Sequence, residues 1–218
     1  MKRDRFLVIG ILTLAILAFV AAKVWYQGSE AKRVEKLIVG REPLVRFHSP
    51  RLGLDTAPVT VVEFLDPECE SCSAFYPTVK KVLREFDGKV QLVVRYMPLH
   101  NNSAYAASVL EATRPEGRYW EALEMLFARQ PEWASHHAPR PELIMVYMEE
   151  LGLSVDHLEN VSQEPEIKRR ILQDQEDGLQ LGVMRTPAFF INGKLLPRLD
   201  YRSLREAIER ELQHQTKE

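Results

Sequence analysis

The two cysteines of this 218-residue chain lie three residues apart, in the stretch Cys69-Glu70-Ser71-Cys72. Residues 59–64, just before them, are a mostly apolar and β-branched run of strand length. After them, apolar residues recur at helical spacing from Phe75 to Phe86, with basic residues between. The pair is therefore predicted to lie where a buried strand turns into an amphipathic helix.

This position favours a reactive thiolate at Cys69, which falls at or just before the predicted helix N-terminus. Free backbone N–H groups and the helix dipole stabilise negative charge there, and a thiol pKa of about 8.5 can drop to roughly 3.5–7.5. Cys72 lies one turn further in. We therefore expect Cys69 to be the exposed nucleophile and Cys72 to be the shielded resolving thiol.

Three alternatives to redox chemistry exist for the cysteine pair. A zinc site needs four ligands, but there is no second cysteine pair and the six histidines show no finger-like spacing. A structural disulfide that closes so short a loop would remove little chain entropy. Two unrelated buried cysteines at this position would be a coincidence. Redox chemistry is the favoured interpretation, and no metal site is predicted.

A basic N-terminus precedes an uncharged, apolar run over residues 6–22. Extended to Tyr26, this run would be roughly 31 Å long as a helix, enough to cross a bilayer. We expect residues 1–26 to be an uncleaved inner-membrane anchor with its basic end in the cytoplasm. A cleaved signal peptide ending near Ala22 is the alternative. Either way, the rest of the chain is expected in a bacterial periplasm or outside the membrane.

The chain after the anchor is predicted to have a linker and lead-in at 27–56 and a main domain at 57–216. Residues 27–39 could form a short helix, and 44–47 an edge strand. In the main domain, the strand before the cysteines, a helix kinked by Pro77 and a strand over 90–97 form a βαβ unit. The two strands of such a unit should be parallel.

An all-helical block is predicted from about residue 101 to 181. Its helices are expected at 104–112, 119–128, 143–151, 155–161 and 167–181. Asn192-Gly193 then predicts a tight turn between strands at 188–191 and 194–196. A final helix at 201–213 would be capped by Asp200.

The order of these features resembles the thioredoxin superfamily, and the helical block resembles that of its DsbA-like branch. Cys69-Glu70-Ser71-Cys72 resembles the active-site motif, and Pro77 the proline that kinks the active-site helix. Thr186-Pro187 resembles the pair whose proline is cis and packs against the cysteines. The expected fold is α/β: a thioredoxin fold with an inserted all-helical domain, preceded by an N-terminal transmembrane helix.

The resemblance also implies roles for individual residues. Cys69, Cys72 and Pro187 would be catalytic, the two cysteines would form a disulfide, and Thr186 and Pro187 would bind substrate. Glu63 resembles the buried acid beneath the disulfide. If buried, its pKa would rise and it could take the Cys72 proton. An edge-strand residue that faces solvent is the alternative for Glu63.

The charged residues near the cysteines leave the redox direction open. The pair encloses Glu70-Ser71, whereas Pro-His is typical of a strong oxidase and Gly-Pro of thioredoxin. Glu68 and Glu70 are expected to be solvated and to oppose a Cys69 thiolate. His100 is expected to be a surface cap, with a place near the site as the alternative.

The function expected from these observations is an envelope thiol–disulfide oxidoreductase that needs no dissociable cofactor. Cys69 would form a mixed disulfide with cysteine-containing exported proteins, and Cys72 would resolve it. Oxidase activity is preferred over isomerase or reductase activity; a non-enzymatic tethered chaperone or metal-handling module is the other hypothesis. A membrane or envelope redox partner would recycle the disulfide. A net charge of −2 with no basic cluster predicts no nucleic-acid partner.

Overall fold

The computed structural model describes Lys23 and residues 43–215, and the fold is formed by 43–215. The predicted anchor at 1–26, apart from Lys23, and the predicted helix at 27–39 lie outside the described residues. Within the described part of the chain, no helix combines the length and the apolar character that a membrane span needs.

Five strands of the described region form one sheet in the order β1-β3-β2-β4-β5. The strands are β1 Arg51–Leu52, β2 Val59–Leu65, β3 Val90–Tyr96, β4 Ala188–Ile191 and β5 Lys194–Leu195. The predicted parallel pairing of β2 and β3 is confirmed, and β4 runs antiparallel to β2. Every residue of β2 and β3 is buried, which is typical of central strands covered on both faces.

The edge strand lies later than the sequence predicts. Residues 44–47 form no strand, and β1 at Arg51–Leu52 pairs with β3 instead. Side chains hold the earlier segment in place. Leu44 is buried against the sheet, and the Arg46 guanidinium donates to both carboxylate oxygens of Asp177 at 2.8 Å. A strand prediction from apolar residues therefore mistakes side-chain anchoring for backbone pairing.

Eight α-helices and one short 3₁₀ helix are present in the described region. They are α1 Glu70–Glu85, α2 Ser103–Ala112, the 3₁₀ helix Arg114–Glu116, α3 Tyr119–Ala128, α4 Gln130–Trp133, α5 Leu143–Glu150, α6 Val155–Ser162, α7 Pro165–Gln180 and α8 Tyr201–Gln215. Helices α2 to α7 come between β3 and β4, where the sequence predicts a helical block. The sequence pattern does not predict α4, which is a single turn.

Local turn and cap signals in the C-terminal part agree with the structure. Asn192 and Gly193 both have positive φ, at 46° and 88°, as the predicted tight turn between β4 and β5 requires. The Asp200 carboxylate accepts a hydrogen bond from the Ser203 N–H at 2.8 Å and so caps α8. Pro77 lies inside α1, as predicted.

A buried ionic network fixes α7 against the sheet. Arg95 on β3 is fully buried and donates from Nε to Asp174 of α7 at 2.7 Å, and its guanidinium also contacts Asp177. His48 Nε2 lies 2.9 Å from the same Asp174 carboxylate. Charges buried in this way are stable only when paired and hydrogen-bonded. The network therefore ties β3, α7 and the segment before β1 into one unit.

Candidate active site

Cys69 occupies the N-cap position of α1, as the sequence predicts. Strand β2 ends at Leu65, a short loop follows, and α1 begins at Glu70. The Cys69 carbonyl accepts hydrogen bonds from the N–H groups of Cys72 at 3.0 Å and Ser73 at 3.2 Å. The N–H groups of Ser71 and Cys72 in this first turn also act on the Cys69 thiol, where they favour an anion.

The two thiols are more alike in exposure than expected. Cys69 is 8% exposed and Cys72 is fully buried, and both are free thiols. The expectation of an exposed Cys69 is therefore wrong as stated. The Cys69 Sγ lies 3.4 Å from the carbonyl oxygen of Thr186 and donates to it.

The pKa values of the two thiols shift in opposite directions. A hydrogen bond from Cys72 lowers the pKa of Cys69 to about 5, although burial opposes it; Thr186 and the N–H groups of Cys72 and Ser71 add to the lowering. The Thr186 carbonyl accepts a hydrogen bond only from the protonated thiol, so this contact favours the thiol form. The donors to the thiolate have the larger effect on the Cys69 pKa. Burial raises the pKa of Cys72 well above its ordinary value, and the bond to Cys69 and the charge of Glu63 add to this.

Glu63 lies in the middle of β2, opposite Val94 on β3 and Phe189 on β4. It is 1% exposed, so the solvent-facing alternative is wrong. Burial raises the pKa of Glu63 to about 8, and its Oε1 has no hydrogen-bond partner in the described structure. At neutral pH Glu63 is therefore mostly a protonated acid close enough to Cys72 to influence its pKa.

Thr186 and Pro187 lie immediately before β4, and the peptide bond between them is cis, as the sequence predicts. They border a cavity of about 670 Å³ that Ser71 of the cysteine motif also lines. Several exposed apolar side chains surround this cavity. They are Met184, Leu195 and Leu199. The structure thus brings all five predicted site residues, Cys69, Cys72, Glu63, Thr186 and Pro187, to one region.

Glu68 does not lie in solvent, contrary to the sequence prediction. It is 9% exposed, and its carboxylate accepts hydrogen bonds from the Asn102 N–H at 2.6 Å and from Asn102 Nδ2 at 3.0 Å. Ser103 Oγ lies 3.4 Å from it. The start of α2 supplies these donors, so the Glu68 charge is compensated. Glu70 is exposed as predicted, and its carboxylate lies 3.3 Å from His136 Nε2.

Sequence reasoning missed the role of Asp66 and misjudged His100. Asp66 is fully buried, and its carboxylate lies 2.7 Å from His100 Nδ1. His100 is 35% exposed and linked to the site, so it is not only a surface cap. One signal in the sequence predicts this proximity. Asp66 and His100 follow two strands that form one parallel pair, and such strands end at the same edge of a sheet.

Comparison with known proteins agrees with this geometry. The family model described as Thioredoxin matches residues 47–210, which is most of the chain. The chain belongs to the thioredoxin family. It is similar to DsbA-like members of that family: the crystal structure of oxidised BdbD from Bacillus subtilis superposes with a TM-score of 0.69 at 28% sequence identity. That match covers 76% of this chain and 94% of BdbD.

Two proteins with similar sequences cover different shares of this chain. The probable disulfide bond formation protein D of Bacillus cereus is 26% identical over 219 residues, covering 97% of this chain and 99% of that protein. The Na(+)/H(+) antiporter NhaA 3 of Salinispora tropica is 35% identical over 145 residues, which are 65% of this chain. The chain spans 21% of the antiporter's length. The chain thus belongs to the thioredoxin family and is similar in sequence and fold to its disulfide-forming members.

Proposed function

We propose that this protein forms disulfide bonds in exported proteins, with Cys69 as the exchanging cysteine and Cys72 as the resolving one. The observation that carries the proposal is the opposite shift of two neighbouring thiols. Cys69 has a pKa of about 5, whereas that of Cys72 is raised. A stabilised thiolate at Cys69 stabilises the reduced form of the enzyme, and a disulfide whose reduced form is stable is a good oxidant.

The proposed reaction begins with the Cys69–Cys72 disulfide. A substrate thiolate attacks the Cys69 sulfur, a mixed disulfide forms, and Cys72 leaves as a thiolate that takes up a proton. A second substrate thiolate then attacks the substrate sulfur of the mixed disulfide and releases Cys69 as a thiolate. The substrate loses two electrons and gains a disulfide, and the enzyme becomes a dithiol.

Glu63 is the proposed proton partner of Cys72. With a pKa of about 8, it is mostly protonated at neutral pH and can give its proton to the leaving Cys72 thiolate. In the reverse direction, its carboxylate takes the proton from the buried Cys72 thiol. Water reaches this region poorly, because Glu63 and Cys72 are almost fully buried. An internal acid is therefore the better proton source.

Thr186 and Pro187 are proposed to bind the substrate polypeptide next to Cys69. The cavity they border has room for several residues of an extended chain, and its exposed apolar side chains suit apolar residues that flank a substrate cysteine. Such segments are accessible in proteins that have not finished folding. Newly exported, cysteine-containing proteins are therefore the proposed substrates.

The catalytic domain is proposed to act outside the cytoplasmic membrane, tethered by an anchor at residues 1–26. The segment begins with basic residues and continues with apolar ones, which supports this location. The alternative is that a signal peptide is cleaved and the protein is soluble in the periplasm. Each turnover leaves a dithiol, so a membrane or envelope redox partner must accept its two electrons. Mass spectrometry of the mature protein from membranes tests the anchor, because a chain that begins at Lys23 would contradict it.

An oxidation assay tests the activity. The oxidised protein is mixed with a reduced, unfolded protein that needs disulfides, and free thiols and recovered substrate activity are followed. We expect thiols to be lost in proportion to the enzyme added and Cys69→Ser to be inactive. Cys72→Ser should accumulate mixed disulfides when it is mixed with a substrate that already carries disulfides, because its Cys69 thiolate attacks a substrate disulfide and no second cysteine releases the product. No loss of substrate thiols with wild-type protein would reject the oxidase proposal.

Isomerase or reductase activity of the same site is the second candidate, because Glu70-Ser71 between the cysteines differs from the Pro-His typical of strong oxidases. A substrate with scrambled disulfides separates the candidates. An isomerase regains substrate activity from it, whereas an oxidase acts only on the reduced substrate. A non-enzymatic chaperone or metal-handling module would show none of these exchanges, and its cysteine variants would behave like wild type.

A further inference from the structure

A second ionisable pair lies next to Cys69, and the proposed exchange reaction does not use it. His100 Nδ1 lies 2.7 Å from Asp66 Oδ2, and Asp66 is fully buried. The Asp66 carboxylate also accepts hydrogen bonds from the N–H groups of Glu68 and Leu99, both at 2.8 Å. Three donors from two segments of the chain thus hold this carboxylate in one place.

The same contacts hold the His100 ring close to the cysteine loop. The His100 N–H donates to Ser103 Oγ at 3.2 Å, which fixes its backbone at the start of α2. The Asp66 carbonyl accepts a hydrogen bond from the Cys69 N–H at 3.1 Å. Asp66 therefore contacts both Cys69 and His100. Since Nδ1 is bound to the carboxylate, Nε2 is the ring nitrogen left to exchange a proton with solvent.

The charges around His100 favour its protonated form. Burial opposes the imidazolium, but the hydrogen bond to Asp66 and the charges of Asp66, Cys69 and Glu68 outweigh it and raise the pKa of His100. His136 faces it from the loop after α4, with ring centroids 6.4 Å apart.

Two of the neighbouring charged groups have other partners. The Glu68 carboxylate is bound by Asn102. Glu70, at the start of α1, lies 3.3 Å from His136 Nε2. Asp66 is thus the carboxylate in direct contact with His100. The charges of Cys69 and Glu68 add to the rise in the His100 pKa without a direct contact.

We propose that His100, positioned by Asp66, supplies a positive charge that stabilises the Cys69 thiolate of the reduced enzyme. In this role it takes the place of a histidine between the two cysteines, which this sequence lacks. The inference rests on the proposed exchange function, because it concerns the thiolate that this reaction releases. Asp66 acts through His100 and is a positioning residue.

The first test titrates the Cys69 thiolate by its ultraviolet absorbance in reduced wild type and in His100→Gln. Loss of one nearby charge at a partly exposed site should raise the Cys69 pKa by about 0.5–1 unit. The reduced form becomes less stable, so the disulfide should become about 15–30 mV less oxidising. His136→Gln is the matched control. The His136 side chain is 63% exposed, so its loss should change the Cys69 pKa by less than about 0.3 unit. His100→Lys should restore most of the lowering.

The second test uses wild-type protein alone, so it does not depend on a variant that folds. Linkage requires that His100 and Cys69 change each other's pKa by the same amount. Oxidation removes the Cys69 anion, so the pKa of the His100 ring, followed by NMR, should fall by about 0.5–1 unit in the disulfide form. A merely structural role of His100 would not produce this difference.

Two outcomes would overturn the inference: an unchanged Cys69 titration in folded His100→Gln, or the same His100 pKa in both redox states. Failure of the proposed function looks different. In that case wild-type protein does not oxidise the reduced substrate, whether or not the pKa values of His100 and Cys69 depend on each other. If wild type oxidises the substrate and the coupling is absent, only the role of His100 is wrong.

Discussion

Glu68, the residue before Cys69, is bound to the start of α2 through Asn102. Its carboxylate accepts the Asn102 N–H at 2.6 Å and Asn102 Nδ2 at 3.0 Å. The positive end of a helix dipole and two donors therefore compensate this anion. Of the two acids expected to oppose a Cys69 thiolate, only the exposed Glu70 keeps a largely solvated charge.

The difference between the thiols predicts which cysteine reacts with an alkylating agent. At neutral pH Cys69, with a pKa of about 5, is almost entirely thiolate, and Cys72 is almost entirely thiol. In the reduced protein we expect iodoacetamide to label Cys69 first, with an excess on the order of 100-fold over Cys72. Peptide mass spectrometry after brief labelling measures the ratio. Faster labelling of Cys72 would reverse the assignment of nucleophile and resolving thiol.

Burial of Glu63 predicts a pH-dependent cost to stability. Its pKa is about 8 in the fold and about 4.3 in an unfolded chain. Between these values the folded state binds more protons, so stability falls as pH rises through that window. Glu63→Gln should therefore raise the unfolding free energy at pH 7 by up to roughly 3.5 kcal/mol, with little effect at pH 4.

Denaturant unfolding of the reduced protein at several pH values checks this. The same variant should slow disulfide exchange, because Cys72 loses its proton partner. Glu176→Gln is a suitable control, since Glu176 is an exposed residue of α7. If the stability of Glu63→Gln follows that of wild type at every pH, Glu63 does not carry the raised pKa.

Local patterns in the sequence predict the parts of this site that depend on short-range order. The strand before Cys69, the helix after it and the apolar environment of Glu63 each follow from neighbouring residue types. The cis bond before Pro187 agrees with the family motif. The start of α1 at Glu70 agrees with the predicted helix boundary. These features need little knowledge of distant contacts.

Long-range polar contacts are what the sequence does not predict. Glu68 and Asn102 are 34 residues apart, and Arg46 and Asp177 are 131 apart. Nothing in the residues around Glu68 says that the start of another helix will bury it. For the same reason, local patterns predict a strand at residues 44–47, although a partner in α7 holds them instead. Periodicity reports which face is apolar, but not which distant group satisfies a charge.

Close packing of α7 on the sheet makes Gly178 intolerant of a side chain. A Cβ at Gly178 would lie 2.9 Å from Met97 Sδ and 3.1 Å from the Phe64 ring. Ala normally favours a helix over Gly by about 1 kcal/mol, but overpacking should dominate here. Gly178→Ala is expected to lower the unfolding free energy by about 1–3 kcal/mol. Glu176→Ala, on the exposed side of α7, should change it by less than about 0.5 kcal/mol.

Denaturant unfolding measures both variants. Because α7 precedes the segment that carries Thr186 and Pro187, Gly178→Ala should also slow exchange if α7 moves away from the sheet. A variant as stable as wild type would mean that Met97 and Phe64 repack without cost.

The redox potential is predicted to lie between those of a strong oxidase and thioredoxin. The Cys69 pKa of about 5 falls between roughly 3.5 for DsbA and roughly 7 for thioredoxin. Glu70, 74% exposed and beside His136, is the acid next to Cys69 that keeps a largely solvated charge. Glu70→His should lower the Cys69 pKa and make the disulfide more oxidising, by about 10–40 mV after allowing for solvent screening.

Equilibration with glutathione of known redox state measures this shift, and repeating it at high salt tests its electrostatic origin. Glu116→His, on the exposed 3₁₀ helix, changes the net charge equally and should leave the potential unchanged. High salt should shrink the Glu70→His shift, because exposed charges are screened. If Glu70→His leaves the thiolate titration unchanged, the charge at position 70 does not contribute to the Cys69 pKa. The charge of residue 70, between the cysteines, then does not affect the redox potential.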